Sequence, residues 1–275
     1  MAQIAIEALK KGDKVVLGCC PGGEDESKLL KRADRLWQRY PDRCIVVELD
    51  IKNYALCQST ISKTISQYGR IDIIVNCTNR VYVGALEEVE EWHMRAQLDQ
   101  TFYGAVNMIQ AALPYMRKQF FGHFVNITDV TGNIGTPALS LLSGAMHALE
   151  GYLEALACEV APFNIKVTIV ESPMEVSLLT IPVVLADQLP QYGLETPAGK
   201  LRGLLTTSNV FPERAFRNTI LTVASLGGLE NPPGRIVVGK EAIGQIKDKL
   251  ALLSEDLEEF SAISISADYE NYNIF

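Results

Sequence analysis

The sequence predicts an α/β fold: a Rossmann-like, doubly wound parallel sheet with helices on both faces. Three observations lead there. Short apolar, β-branched runs alternate with stretches of helical spacing, the arrangement that gives a parallel sheet joined by crossover helices. With 275 residues, 48% of them hydrophobic, the chain can bury one substantial core, and α/β folds of this size are commonly a single domain. No internal repeat or low-complexity segment breaks the alternation. One domain over residues 1–260 is expected, with 261–275 as an irregular tail that either folds over a neighbour or is disordered.

The elements follow in order. Ala2–Lys11 has helical spacing (Ile4, Ala5, Ala8, Leu9), and Gly12 ends it. Lys14–Leu17 reads as a short buried strand and Cys19–Gly23 as a turn. Glu24–Tyr40 is a charged helix, Cys44–Leu49 a strand, Ile51–Gly69 a helix and Ile71–Val75 an apolar strand. Glu87–Arg117 holds one long helical stretch. Strands at Phe124–Ile127 and Lys166–Val170 flank a helix over Ser140–Val160, and a strand at Gly234–Val238 precedes a final helix, Glu241–Phe260.

Composition narrows the partners. A net charge of −8, with no basic run beyond two or three residues, argues against nucleic acid and anionic membrane surfaces. Six scattered cysteines without C-x-x-C spacing read as buried thiols in a reducing compartment, not as zinc ligands or disulfides. No apolar run reaches bilayer length, and Met1 leads into an amphipathic helix instead of a basic-then-apolar leader. A cytoplasmic protein is the expectation.

The most informative stretch is Phe124–Val160, FVNITDVTGNIGTPALSLLSGAMHALEGYLEALACEV: strand, Thr/Gly-rich turn, long apolar helix. It resembles the short-chain dehydrogenases/reductases, whose pattern reads V-N-I-S-S-x-A-G and then Y-S-A-S-K-x-A-x-E-G. Val125, Asn126, Ile127, Gly132, Ser143, Ala145, Ala148, Glu150 and Gly151 keep that frame. Ala5–Gly18, Arg70–Asn76, Leu113–Arg117, Asn164–Val170 and Asn231–Gly239 extend the resemblance along the chain, the last towards a branch common among fungal members. Individually weak, these pieces are strong in this order and spacing.

The resemblance implies a nicotinamide-linked reductase scaffold, and the chain departs from it at the reactive positions. Asp129 stands where the family has its catalytic Ser, Leu142 where it has Tyr, Met146 where it has Lys, and Thr101 where it has Asn. A phenol made acidic by a neighbouring ammonium is the family's proton donor; Leu142 cannot exchange a proton and Met146 carries no charge. The family's first strand and its T-G-x-x-x-G-x-G turn, which brings pyrophosphate to a helix N-terminus, are also not found. That strand lies mid-sheet in the family. Either its neighbours close the gap, or another segment fills it, or the natural start lies upstream of Met1.

Pro21-Gly22-Gly23 is the one glycine pair nearby, but its place after the second strand is wrong for pyrophosphate. Glu24, Asp25 and Glu26 could accept from an adenosine ribose while repelling the extra phosphate of NADP, or simply be a solvated helix start. Asp50 and Asn76 occupy the family's adenine and sheet-steadying positions, yet Cys77-Thr78-Asn79 replaces the remainder of its N-N-A-G turn. Asp50 can instead cap the following helix. No cofactor is expected.

What remains is an apolar pocket with one acid. Asp129, at a strand's C-terminal end, is expected beside Leu142, Met146, Tyr82, Val83 and the loop Glu171–Met174. A carboxyl in apolar surroundings has a raised pKa and can act as general acid or base; alternatively Asp129 only accepts backbone bonds in the Thr131–Gly135 turn. Asp129 is the candidate catalytic residue, with Tyr82, Thr101, Leu142, Met146 and Met174 as substrate-binding walls. His93, His123 and His147 read as packing or surface, and no metal-ligand spacing is evident. Thr180–Thr207, rich in Leu, Val, Ile and Pro, reads as a lid over a hydrophobic molecule or as a partner-facing surface.

Three functions fit these readings. The leading expectation is a cofactor-independent, non-redox catalyst (isomerisation, dehydration or cyclisation, including pericyclic closure) acting on a hydrophobic metabolite. The second is a pseudoenzyme binding a ligand or a partner dehydrogenase, and the third an NAD(P)-dependent oxidoreductase. A homodimer or homotetramer through helices 102–117 and 143–160 is implied by the resemblance.

Overall fold

The computed structural model describes residues 2–20, 35–77, 80–207 and 212–261. The expected helix Glu24–Tyr40 is described only from residue 35, and 35–39 are helical; the glycine pair at 22–23, Thr78-Asn79 and the tail beyond residue 261 lie outside the described residues.

Helix α1 (Ala2–Lys11) ends at Gly12, whose φ of 101° suits glycine, and leads into β1 (Val15–Cys19). Strand β2 (Cys44–Glu48) runs parallel to β1 in the register Val15–Cys44 to Cys19–Glu48. Helix α2 (Tyr54–Tyr68) starts at Asn53, whose side chain accepts from the Leu56 amide, and stops at left-handed Gly69. Asn53, not Asp50, caps this helix; Asp50 Oδ1 accepts from the Lys52 amide in a local turn. Then come β3 (Ile73–Asn76), β4 (Val81–Val83), α3 (Glu91–Leu98), α4 (Gly104–Gln119), β5 (Gly122–Asp129), α5 (Ser140–Val160), β6 (Ile165–Ser172) and α6 (Met174–Thr180). The chain closes with β7 (Val183–Leu185), α7 (Pro197–Thr207), α8 (Glu213–Leu226), β8 (Arg235–Val237) and α9 (Lys240–Glu259).

All strand pairs described are parallel, and the principal sheet has the order β3-β5-β6-β8. Side chains along β5 and β6 alternate between two cores, as strand geometry requires. Phe124, Val167 and Ile169 meet α2, α4 and α5 through Ile61, Ile109, Leu149 and Leu153. Val125 and Val170 meet α1 and α8 through Ile4, Ile220 and Val223. Helices therefore cover both faces, and the α/β Rossmann-like class holds.

Two features differ from the sequence expectation. The helix expected over Glu87–Arg117 is broken: α3 passes through a π-helical turn, Asp99–Tyr103, before α4 begins. The segment 174–207 contributes not only helices but also β7, which pairs with β4.

The sheet itself is in two pieces. Among the described residues β1 bonds only β2, and β3 bonds only β5. Between the facing edges of β1 and β3 lies a cavity of about 560 Å3, walled by Ile4 and Ala5, Leu17 and Gly18, Ile74 and Val75, and Val223. Neighbouring strands have not closed over this space.

Candidate functional site

Asp129 is the last residue of β5 and is fully buried, opposite Ser172 in the β5–β6 register. Its Oδ1 accepts from the Thr131 amide (2.8 Å) and the Thr131 hydroxyl (2.5 Å), so it caps the single 3-10 turn at Val130–Gly132. Its Oδ2 has no partner within hydrogen-bond distance, although the Ser177 hydroxyl lies near enough to favour the charged form. Burial outweighs these bonds and raises the Asp129 pKa above the ordinary carboxylate value. Both sequence readings of this residue thus describe one of its oxygens: one bonded into the turn, one left over.

Leu142 and Met146, one turn apart on α5, are buried with Val81, Val83, Leu139, Leu178 and Ala198, and Met174 packs against them. Tyr82 is buried but belongs to a different group: its ring meets Trp92 edge-on at 5.7 Å and His93 at 5.2 Å. Thr101 sits inside the π-helical turn and its hydroxyl accepts from Gln97 Nε2 at 2.8 Å. The structure therefore brings Leu142, Met146 and Met174 together and sets Tyr82 apart from them, against α3.

Sequence reading missed Gln97, which is fully buried and ties three elements. Its Oε1 accepts from the Tyr82 amide, and its Nε2 donates to the Arg80 carbonyl and to Thr101. A polar residue on the inner side of an amphipathic helix was the available signal.

It also missed an acidic network that joins α5, β6 and β8. Arg235 Nη1 donates to Glu150 Oε2 (2.6 Å) and to Glu171 Oε1, while Nη2 donates to Glu154 (2.8 Å). Asn133 Nδ2 donates to Glu171 Oε2 at 2.9 Å. The Glu150 pKa is raised, first by burial and then by the Glu171 charge, with Arg235 opposing. A methyl group at Gly132 would overlap the Glu150 carboxylate, so a larger residue there would displace that side chain. Glu150, a carboxylate four residues from Met146 and Glu154 on one helix face, was the visible clue.

The remaining titratable groups are structural. His123 Nε2 bonds the Thr168 hydroxyl at 2.8 Å, and burial lowers its pKa to about 4, so it is neutral at pH 7. Asn76 Nδ2 donates to Asn126 Oδ1 at 2.8 Å and joins β3 to β5. Cys44 and Cys57 are buried, whereas Cys20 and Cys158 are exposed, against the expectation of uniformly buried thiols. No helix among the described residues is long and apolar enough to cross a membrane.

Residues 2–179 match the family model for short chain dehydrogenase. The chain belongs to that family. A structure of a short-chain dehydrogenase from Streptomyces avermitilis superposes with a TM-score of 0.83 at 28% identity, covering 97% of this chain and 94% of the other. A 3-ketodihydrosphingosine reductase of Bacteroides thetaiotaomicron is 40% identical over 129 residues, a stretch of 47% of either protein. A tyrosine-to-phenylalanine variant of ElxO with NADPH bound aligns at 27% identity and a TM-score of 0.57, over 62% of this chain and 67% of that one. The chain thus matches about half the length of the curated reductase.

These likenesses overturn the leading functional expectation. Family members similar to this chain are named reductases and dehydrogenases, and one holds NADPH, so a non-redox, cofactor-independent isomerase or cyclase is not supported. That expectation weighed the changed Asp129, Leu142 and Met146 too heavily against the frame around them.

Does the described site fit a dinucleotide? At the adenosine end it offers the strand ends of β1, β2 and β3, with Gly18 and Asn76 lining the cavity and Asp50 after β2. At the positions the resemblance gives to the nicotinamide end, Leu142 presents only carbon and Met146 a weakly accepting sulfur, so neither can donate to the ribose oxygens. The described residues do not fit the whole group.

Proposed function

We propose that the chain serves NAD(P)-linked oxidoreduction of an apolar ketone or alcohol. The observation that carries this reading is the family match over residues 2–179, together with the reductase whose name specifies a keto substrate. The apolar cluster formed by Leu142, Met146, Met174, Leu178 and Val183, roofed by the 180–207 segment, supports a hydrophobic substrate.

Three finer points complete the proposal. The cavity between β1 and β3 is the position of one further parallel strand, with the dinucleotide turn at that strand's C-terminal end. Such a strand would be buried on both faces and so must be apolar throughout. The family's Ser, Tyr and Lys are replaced, and Asp129 is the group that holds a proton near the reacting oxygen, since burial keeps it protonated to higher pH than an exposed aspartate.

The test is consumption of NADPH or NADH by the purified chain with long-chain ketones. The expected outcome is slow turnover that falls by about 10²–10⁴-fold in Asp129→Asn. It should rise when Leu142→Tyr and Met146→Lys are introduced together. No ketone-dependent oxidation of either dinucleotide, in the native chain or the double variant, would overturn the reading.

A further inference from the structure

Helix α9 carries an apolar stripe that the rest of the described chain leaves in solvent. Ile243, Ile246, Leu250, Leu253 and Leu257 recur at intervals of three and four, which is the a/d spacing of a two-helix seam. Leu250 is 60% exposed, Leu253 44% and Leu257 71%, and Ala242 is the helix's one buried residue. A stripe of this kind on a twenty-residue helix is a docking surface.

The charges on the same helix say what covers it. Lysines 240, 247 and 249 outnumber Glu241 and Asp248 in the N-terminal half, while Glu255, Asp256, Glu258 and Glu259 fill the last turns. Carboxylates at a helix C-terminus oppose the helix dipole. None of these residues joins an ion pair among the described residues. A parallel partner would set acidic end against acidic end. An antiparallel copy of the same helix sets each acidic end against the other's lysines and positive dipole end.

We propose that α9 pairs antiparallel with α9 of a second copy of this chain about a two-fold axis. Leu250 then meets Leu253 of the partner subunit, Ile246 meets Leu257 of the partner subunit, and each relation occurs twice. With the seam in that register, Lys249 flanks Asp256 of the partner subunit, again twice. Lys249 and Asp256 are seven residues apart on one helix, too far to satisfy each other within a copy.

The experiment is the solution mass of the native chain by light scattering and sedimentation, beside two variants. Leu250→Asp with Leu253→Asp should halve the native mass, and both sites are exposed, so the fold is spared. Lys249→Asp should weaken association roughly tenfold, the scale of two rim pairs turned repulsive, and adding Asp256→Lys should restore it. A monomeric native chain, a mass unchanged by the leucine variants, or no rescue by the charge swap would each overturn the proposal. So would hydrogen exchange showing the stripe protected in a monomer, which would mean the chain covers it itself.

Discussion

At the scale of single residues, two buried groups pull stability in opposite directions with pH. His123 has its folded pKa lowered to about 4. The unfolded chain therefore binds the proton first, and this residue's contribution is full above pH 6.5 and lost as pH falls towards 4. Urea denaturation at pH 7 and pH 5 should show His123→Gln losing less stability on acidification than the native chain, by about 2 kcal/mol. An equal loss in both would contradict the neutral, buried histidine. Asp129 behaves the other way: its folded pKa is raised, so the native state holds the extra proton and stability declines as pH rises above the unfolded value. Asp129→Asn should flatten that decline, and an unchanged slope would place the charge elsewhere. Asp129 could be named from sequence because a strand end is where such folds bind ligands. Gln97 could not, because its partners Arg80, Tyr82 and Thr101 lie just before β4, on β4 and in the π-helical turn.

At the scale of elements, legibility follows locality. The limits of α1 and α5 match the sequence reading to the residue, because helical spacing, Gly12 and Ser140 all act within a turn or two. The helix expected over Glu87–Arg117 breaks because the turn at Asp99–Tyr103 takes in an extra residue, held by the Gln97–Thr101 bond. The β4–β7 pair was invisible because Val81–Val83 finds its partner a hundred residues away, at Val183–Leu185. The Arg235 network escaped for the same reason: its bonds to Glu150 and Glu171 span 85 and 64 residues. That network fixes β8 to α5 and β6, so removing its one cation leaves two buried carboxylates facing each other. Arg235→Met should cost about 3–5 kcal/mol in urea denaturation, with Glu150→Gln recovering part of it. A neutral Arg235→Met would contradict that role.

At the scale of the whole molecule, family membership and the α/β class were legible because frame residues such as Val125, Asn126, Gly132 and Gly151 report packing, and packing is what the fold keeps. Function was misread because four departures from the family pattern, at positions 101, 129, 142 and 146, and a glycine-rich turn not found in the sequence were given more weight than the frame around them. On the proposed reading, the open position between β1 and β3 joins fold to function: two strand edges and a largely apolar cavity of about 560 Å3 would receive a strand and its dinucleotide turn. The most decisive measurement is a calorimetric titration of NADPH into two proteins. One is the chain itself; the other carries an apolar strand and a glycine-rich turn fused ahead of Ala2. The account predicts saturable binding that the fusion tightens at least about tenfold, with β1 and β3 amides newly protected from exchange. No binding by either protein, with those amides unchanged, would contradict it.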